Sequence, residues 1–119
     1  SIHDVGDGGL ALTLLEMAFG SGLGMDVDIG SLKPALTGPT ARPLEALLFS
    51  EGGSRWVLEV EADKEEELAG TAKAAGVPFI PIGRVVDDPT LTIMYGSWHG
   101  EVDVAECYEL WDSSLWRVM

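Results

Sequence analysis

His3-Asp4-Val5-Gly6-Asp7-Gly8-Gly9 places two carboxylates and three glycines directly ahead of a strongly apolar run. Residues of these types at this spacing could hold an anion together with a hard cation. A helix that starts here offers unpaired backbone N–H groups and the positive end of its dipole, and glycines let a phosphate come close to the backbone. The carboxylates of Asp4 and Asp7 suit Mg²⁺, which favours carboxylate oxygens together with phosphate. The plainer reading is an Asp-Gly-Gly turn in which Asp7 does no more than cap the helix. Both readings stand on the pattern alone.

Other chemistry-bearing residues give weaker signals. Ser50-Glu51-Gly52-Gly53-Ser54-Arg55 is a second polar, glycine-containing stretch, fit to line a ligand cleft or simply to join a helix to a strand. Cys107 would need a histidine partner to act as a nucleophile, and on the apolar face of a helix cysteine is usually a small hydrophobe. His3 and His99 lack metal-ligand spacing, with no H-E-x-x-H or C-x-x-C in the chain. Gly20-Ser21-Gly22-Leu23-Gly24 follows a helix rather than a strand, so it is no dinucleotide fingerprint. Trp98, Trp111 and Trp116 read as core or interface, and residues 63–67 as a solvated helix start.

The elements that must position these groups follow from periodicity. A helix is expected over residues 9–19, capped by Asp7 or Gly6, apolar nearly all round and therefore buried, and ended by Gly20-Ser21-Gly22. Met25-Asp26-Val27-Asp28-Ile29 alternates as a strand with one wet face. Residues 30–42 read as a loop, and Pro43 opens a short helix with Leu44, Leu47 and Leu48 inward. A strand is expected over residues 55–61. Asp63 with Glu66 then starts a helix that ends at Gly76, whose Ala69, Ala72 and Ala75 imply close packing on a sheet. Residues 79–86 and 90–95 read as strands joined by Asp87-Asp88-Pro89, and residues 98–102 as a further short one. Val104, Cys107, Tyr108, Trp111 and Leu115 mark an amphipathic C-terminal helix. The sum is an α+β domain with helices laid on a sheet.

With 119 residues the chain makes one domain. Seven Lys and Arg against twenty Asp and Glu leave a net charge of −13. That balance provides no basic stripe for nucleic acid or an anionic membrane. Any phosphate would need a cation, backbone N–H groups or another domain's basic residues. The single cysteine rules out an internal disulfide. Lacking a long apolar span or a signal-type leader, the chain is expected to be cytoplasmic. Its first residue, Ser1, suggests a piece cut from a longer protein.

His3-Asp4-Val5-Gly6-Asp7-Gly8-Gly9-Leu10, followed by Leu14-Leu15-Glu16-Met17-Ala18-Phe19, resembles the H-D-x-S-D-G-G-L…L-x-E-M-A-F signature of the phosphoribosylformylglycinamidine synthases, also called formylglycinamide ribonucleotide amidotransferases. The resemblance continues through Gly24-Met25-Asp26-Val27-Asp28, Leu48-Phe49-Ser50-Glu51 and Leu110-Trp111, essentially the whole chain. It points to the second, C-terminal copy of the domain shared with aminoimidazole ribonucleotide synthetase. The Glu-Met-Ala-Phe continuation points away from the hydrogenase-maturation, selenophosphate and thiamine-phosphate relatives.

The resemblance implies a domain over residues 1–119 with a mixed sheet flanked by helices, truncated at its N-terminal side. The parent would be a carbon–nitrogen ligase of purine biosynthesis that uses ATP to phosphorylate the amide oxygen of formylglycinamide ribonucleotide. Ammonia from glutamine then displaces phosphate. Partners would be the missing ATP-binding domain and a glutaminase domain or subunit, so Cys107 does not inherit the glutaminase role. Asp4 matches the family's Mg²⁺-binding aspartate, and Gly6, Gly8 and Gly9 fall where nucleotide phosphate is held. Gly6 stands where the family carries a nucleotide-contacting serine. Glu51-Gly52-Gly53-Ser54-Arg55-Trp56 keeps Glu and Arg of the substrate-binding E-S-Q-E-R-M loop but loses its Ser and Gln. Both departures imply a structural or auxiliary nucleotide half binding ATP or ADP with Mg²⁺; the alternative is a packing or subunit-docking module without ligand. Alone, the piece is expected to be inactive and to self-associate through uncovered sheet.

Overall fold

In the computed structural model, which describes residues 1–35 and 41–118, the apolar run after Gly8 forms helix α1 (Gly9–Ser21). The centre of the loop expected over residues 30–42, and the side chains of Leu115 and Trp116, lie outside the described residues. Leu10, Leu14 and Ala18 of α1 are buried, and Thr13, buried beside them, satisfies its hydroxyl by donating to the Gly9 carbonyl at 3.0 Å. The helix ends as its sequence requires: Gly22 takes the left-handed conformation and donates its N–H to the Ala18 carbonyl. Its start differs from expectation. Gly8 is the cap, at φ 84°, and no side chain caps the helix. The turn closes instead through the Gly6 carbonyl, which accepts the Gly9 N–H at 3.0 Å and leaves Asp7 exposed.

The main sheet has four strands in the order β4-β2-β5-β6. Strand β2 (Gly24–Asp28) lies inside it, parallel to β5 (Thr90–Tyr95) and antiparallel to β4 (Gly83–Val86). Strand β6 (Trp98–Asp103) returns antiparallel beside β5. Met25 and Val27 are buried while Asp28 is exposed, the alternation its sequence carries. A separate two-stranded ladder pairs β1 (Ile2–Asp4) with β3 (Trp56–Leu58). Helix α2 (Pro43–Phe49) opens on its proline and buries Leu47 and Leu48, as expected.

Four expectations need correction. The strand expected over residues 55–61 narrows to β3 and joins β1 rather than the main sheet, and the one over residues 79–86 narrows to β4. Residues 83–86 and 90–95 do not pair with each other, because β2 lies between them and takes the hydrogen bonds of both. Helix α3 (Glu65–Ala74) follows a 3-10 turn (Ala62–Lys64) with no side-chain cap from Asp63 or Glu66. None of its residues is buried, so the alanine face does not pack on the sheet. Helix α4 (Val104–Val118) starts with Asp103 accepting the Glu106 N–H at 2.8 Å. Val104 is buried, but Tyr108 and Trp111 stay about half exposed, Tyr108 edge-on to Phe19 at 5.4 Å and Trp111 tilted against it at 5.5 Å.

Leu14, Ile29 and Leu91 are the most completely enclosed large side chains. The radius of gyration is 15.0 Å, against about 13.5 Å for a close-packed chain of this length. Leu14→Ala should cost about 2–5 kcal/mol in urea unfolding. Gly20→Ala, in a helix with open space around its missing Cβ, should instead gain up to about 1 kcal/mol. A neutral Leu14→Ala would show that α1 is not the core element.

Candidate functional site

Asp4 ends β1 directly opposite Trp56, and the next residue, Val5, donates its N–H to the Arg55 carbonyl at 3.0 Å. The β1–β3 ladder thereby lays the opening loop alongside the loop of residues 50–55. Arg55 folds that second loop on itself: its guanidinium donates to the Ser50 carbonyl and, from Nε, to the Gly52 carbonyl at 3.3 Å. Ser54 takes a left-handed conformation at φ 66° in the same turn. From this loop Glu51 reaches across, and its Oε1 accepts the Gly8 N–H at 2.9 Å. A carboxylate thus sits on the first free N–H ahead of α1, where the helix dipole favours negative charge.

The glycines divide by purpose. A Cβ on Gly9 would stand 2.7 Å from the Leu48 carbonyl oxygen and 2.8 Å from the Phe49 Cα, so Gly9 is needed where α1 crosses the end of α2. Gly8, at φ 84°, would press a Cβ into the Leu12 side chain at 2.7 Å. Gly6 has nothing within 4 Å of where its Cβ would be, and a serine fits there without collision. The glycines at 8 and 9 are therefore accounted for by backbone packing before any ligand is considered.

Asp4 holds its carboxylate 71% exposed, with Oδ1 4.0 Å from His3 Nδ1. His3 lies between two acceptors: Nδ1 is 2.8 Å from the Asp4 carbonyl oxygen, and Nε2 is 3.1 Å from Glu16 Oε2 on α1. No group of three or more His, Cys, Asp or Glu able to hold a metal exists among the described residues. A lone carboxylate still fits Mg²⁺, which commonly takes one or two carboxylates and completes its shell with water and phosphate oxygens. The fit of phosphate to the N–H groups is tighter: Gly8 already serves Glu51 and Gly9 already serves Gly6. An incoming phosphate at Gly8 would have to displace Glu51.

Elsewhere the residues considered for chemistry fall away. Cys107 is half-buried, and burial, with the nearby Glu106 and Asp103 carboxylates, pushes its thiol up from the usual value. At neutral pH it is a thiol and a poor nucleophile. His99 pairs opposite Met94 on exposed β6. Reading the sequence left Glu51 and Glu16 without partners; the two Glu contacts join segments far apart in the chain, a pairing no local spacing reveals.

Residues 1–96 match the family described as AIR synthase related protein, C-terminal domain. The chain belongs to that family. The AIR synthase-related domain is also similar to the phosphoribosylformylglycinamidine synthase subunit PurL of Thermoplasma volcanium, 36% identical over 115 residues, or 97% of this chain and 14% of that protein. It therefore spans about one-seventh of the length of this relative. Among solved structures, Thermotoga maritima PurL complexed with FGAR superposes at TM-score 0.75 with 20% identity, over 89% of this chain and 17% of its own. The same protein complexed with ATP superposes at TM-score 0.73 with 21% identity, over 88% and 18%. In PurLQS from T. maritima the values are 0.75, 23%, 87% and 18%. These likenesses establish the fold, an α+β domain with a mixed sheet and flanking helices, as the signature residues imply.

Glu51→Ala should release the Gly8 N–H. Because the contact is solvent-exposed, it should cost less than about 1 kcal/mol of stability. Amide exchange at Gly8 should accelerate while that at Leu14 stays slow. Unchanged exchange at Gly8 would show that the carboxylate does not hold the loop.

Proposed function

We propose that this domain serves as the structural or auxiliary nucleotide half of an ATP-dependent phosphoribosylformylglycinamidine synthase of purine biosynthesis. The observation that carries the reading is the family match, which spans residues 1–96 and so includes the Asp4–Gly9 loop. Supporting it, the PurL relative is named as a subunit of this synthase and its solved counterpart has been seen with FGAR and with ATP. In this reading ATP or ADP brings Mg²⁺, which supplies charge neutralisation of the phosphates. Asp4 would give the metal one oxygen, and the backbone at Gly6, Gly8 and Gly9 would hold a phosphate. Phosphorylation of the amide oxygen and its displacement by ammonia belong to the catalytic half. The parent's ATP-binding domain and a glutaminase domain or subunit would complete the machinery, and catalysis depends on groups assembled from all of them.

The second reading is a packing or docking module with no ligand. One observation favours it: both N–H groups at the loop are already engaged inside the domain, at Glu51 and Gly6. Titrating Mg·ADP into the parent synthase separates the two. Asp4→Asn should weaken binding at least about tenfold, since it removes a charged metal ligand, with the unfolding midpoint unchanged. Gly6→Ser, for which the structure has room, should tighten binding by restoring a hydroxyl. If neither variant changes affinity, the docking reading holds. The domain by itself should form no amidine from ATP, ammonia and FGAR; product from it would overturn both readings.

A further inference from the structure

Asp4 is the carboxylate on which the proposed metal depends, and it ends β1 with its side chain 71% exposed. A short side chain so solvated has several rotamers open to it, and a cation gains from a ligand only as far as the ligand's direction is held. The β1–β3 ladder fixes the Asp4 backbone opposite Trp56 but not the torsion of its side chain.

The His3 ring lies against that side chain. Its Nδ1 is 2.8 Å from the Asp4 carbonyl oxygen and 4.0 Å from Asp4 Oδ1, so the ring blocks one direction in which the carboxylate could turn. The ring is held in turn. His3, the middle residue of β1, is half-buried between exposed Ile2 and Asp4, and its Nε2 lies 3.1 Å from Glu16 Oε2. Glu16 stands within α1, whose Leu10, Leu14 and Ala18 are buried, so its backbone belongs to the rigid part of the fold. The two side chains of the pair are 36% and 30% exposed, about half as much as Asp4. A line of contacts, Glu16 to His3 to Asp4, thus runs from a buried helix to a solvated carboxylate.

We infer that Glu16 and His3 are positioning residues for Asp4. Glu16 holds the ring, and the ring holds the carboxylate in the direction from which Mg²⁺ would meet it. Neither side chain needs to touch the metal. The inference rests on the nucleotide reading proposed above and adds the groups that set the metal's affinity from outside its own shell. Outer partners of this kind commonly govern metal affinity by about 10–100-fold. The plainer role, a staple between β1 and α1, would support the fold without regard to metal.

Calorimetric titration of ADP into the parent synthase, once with Mg²⁺ and once with EDTA, separates the two roles. Glu16→Ala should weaken Mg·ADP binding about tenfold and leave the affinity for ADP without metal unchanged. Glu16→Gln should keep most of the original affinity, because an amide can face a ring nitrogen whether or not that nitrogen carries the proton. Asp4→Asn should weaken Mg·ADP binding by itself. Adding Glu16→Ala to it should cost nothing more, since the line of contacts then ends on no charged ligand. Should Glu16→Ala not fold, His3→Ala cuts the line at its other link and should show the same pattern. Unchanged Mg·ADP affinity in these variants, equal losses with and without Mg²⁺, or full additivity with Asp4→Asn would each overturn the inference while the nucleotide reading stands. No effect of Asp4→Asn itself would remove that reading, and this inference with it.

Discussion

Ile2–Asp4 pairs with Trp56–Leu58 across more than fifty residues of chain, and this short ladder fixes everything at the candidate site. It delivers Asp4 beside the Glu51–Arg55 loop, and Val5 continues the pairing through the Arg55 carbonyl. The chain must then turn sharply into α1, whose burial leaves no freedom in where that turn sits. Leu10 and Leu14 anchor the helix from below, while Gly9 lets it cross the end of α2 at backbone contact. Ladder and helix together therefore dictate that a helix N-terminus faces a polar loop. The His3–Glu16 pair ties the same two elements a second time, at 3.1 Å.

That geometry creates a contest between two anions for one set of donors. The N–H of Gly8 points to where negative charge is favoured, and the domain supplies its own in Glu51. The contact is exposed and worth little, so a phosphate with its metal could replace it, provided the Asp4 carboxylate, largely solvated, receives the cation. With Glu51 kept in place the loop is a structural joint; with Glu51 displaced it would have room for the nucleotide proposed above. The same two loops support both roles because both depend on the same hydrogen-bond donors.

Much of this was legible from residue order. The run from Leu10 to Phe19 is apolar enough to name α1, and Gly22 marks its end by the left-handed turn that only a glycine takes cheaply. Met25, Val27 and the Asp residues between and after them display the alternation of β2. The signature residues identify the family, whose match to residues 1–96 includes them. What misled was local evidence outweighed by distant partners. Asp7 looks like a cap, but the turn closes on the Gly6 carbonyl. Ala69, Ala72 and Ala75 look like a packing face, yet no residue of α3 is buried and Ala72 and Ala75 line an open cleft. The strand expected over residues 79–86 shrinks to β4, which is separated from its sequence neighbour β5 by β2. Glu51 carries no local sign of its partner at all, since the hydrogen bond spans 43 residues.

In the proposed nucleotide reading, Glu51 holds the Gly8 N–H that a phosphate would take. Calorimetric titration of Mg·ADP into the parent synthase, with Glu51 intact and as Glu51→Gln, addresses it most directly. Removing the competing charge while keeping the side chain's shape should tighten Mg·ADP binding, by roughly threefold to tenfold for one exposed charge-assisted contact. Equal or weaker binding in Glu51→Gln would contradict the account and leave the loop as a structural joint.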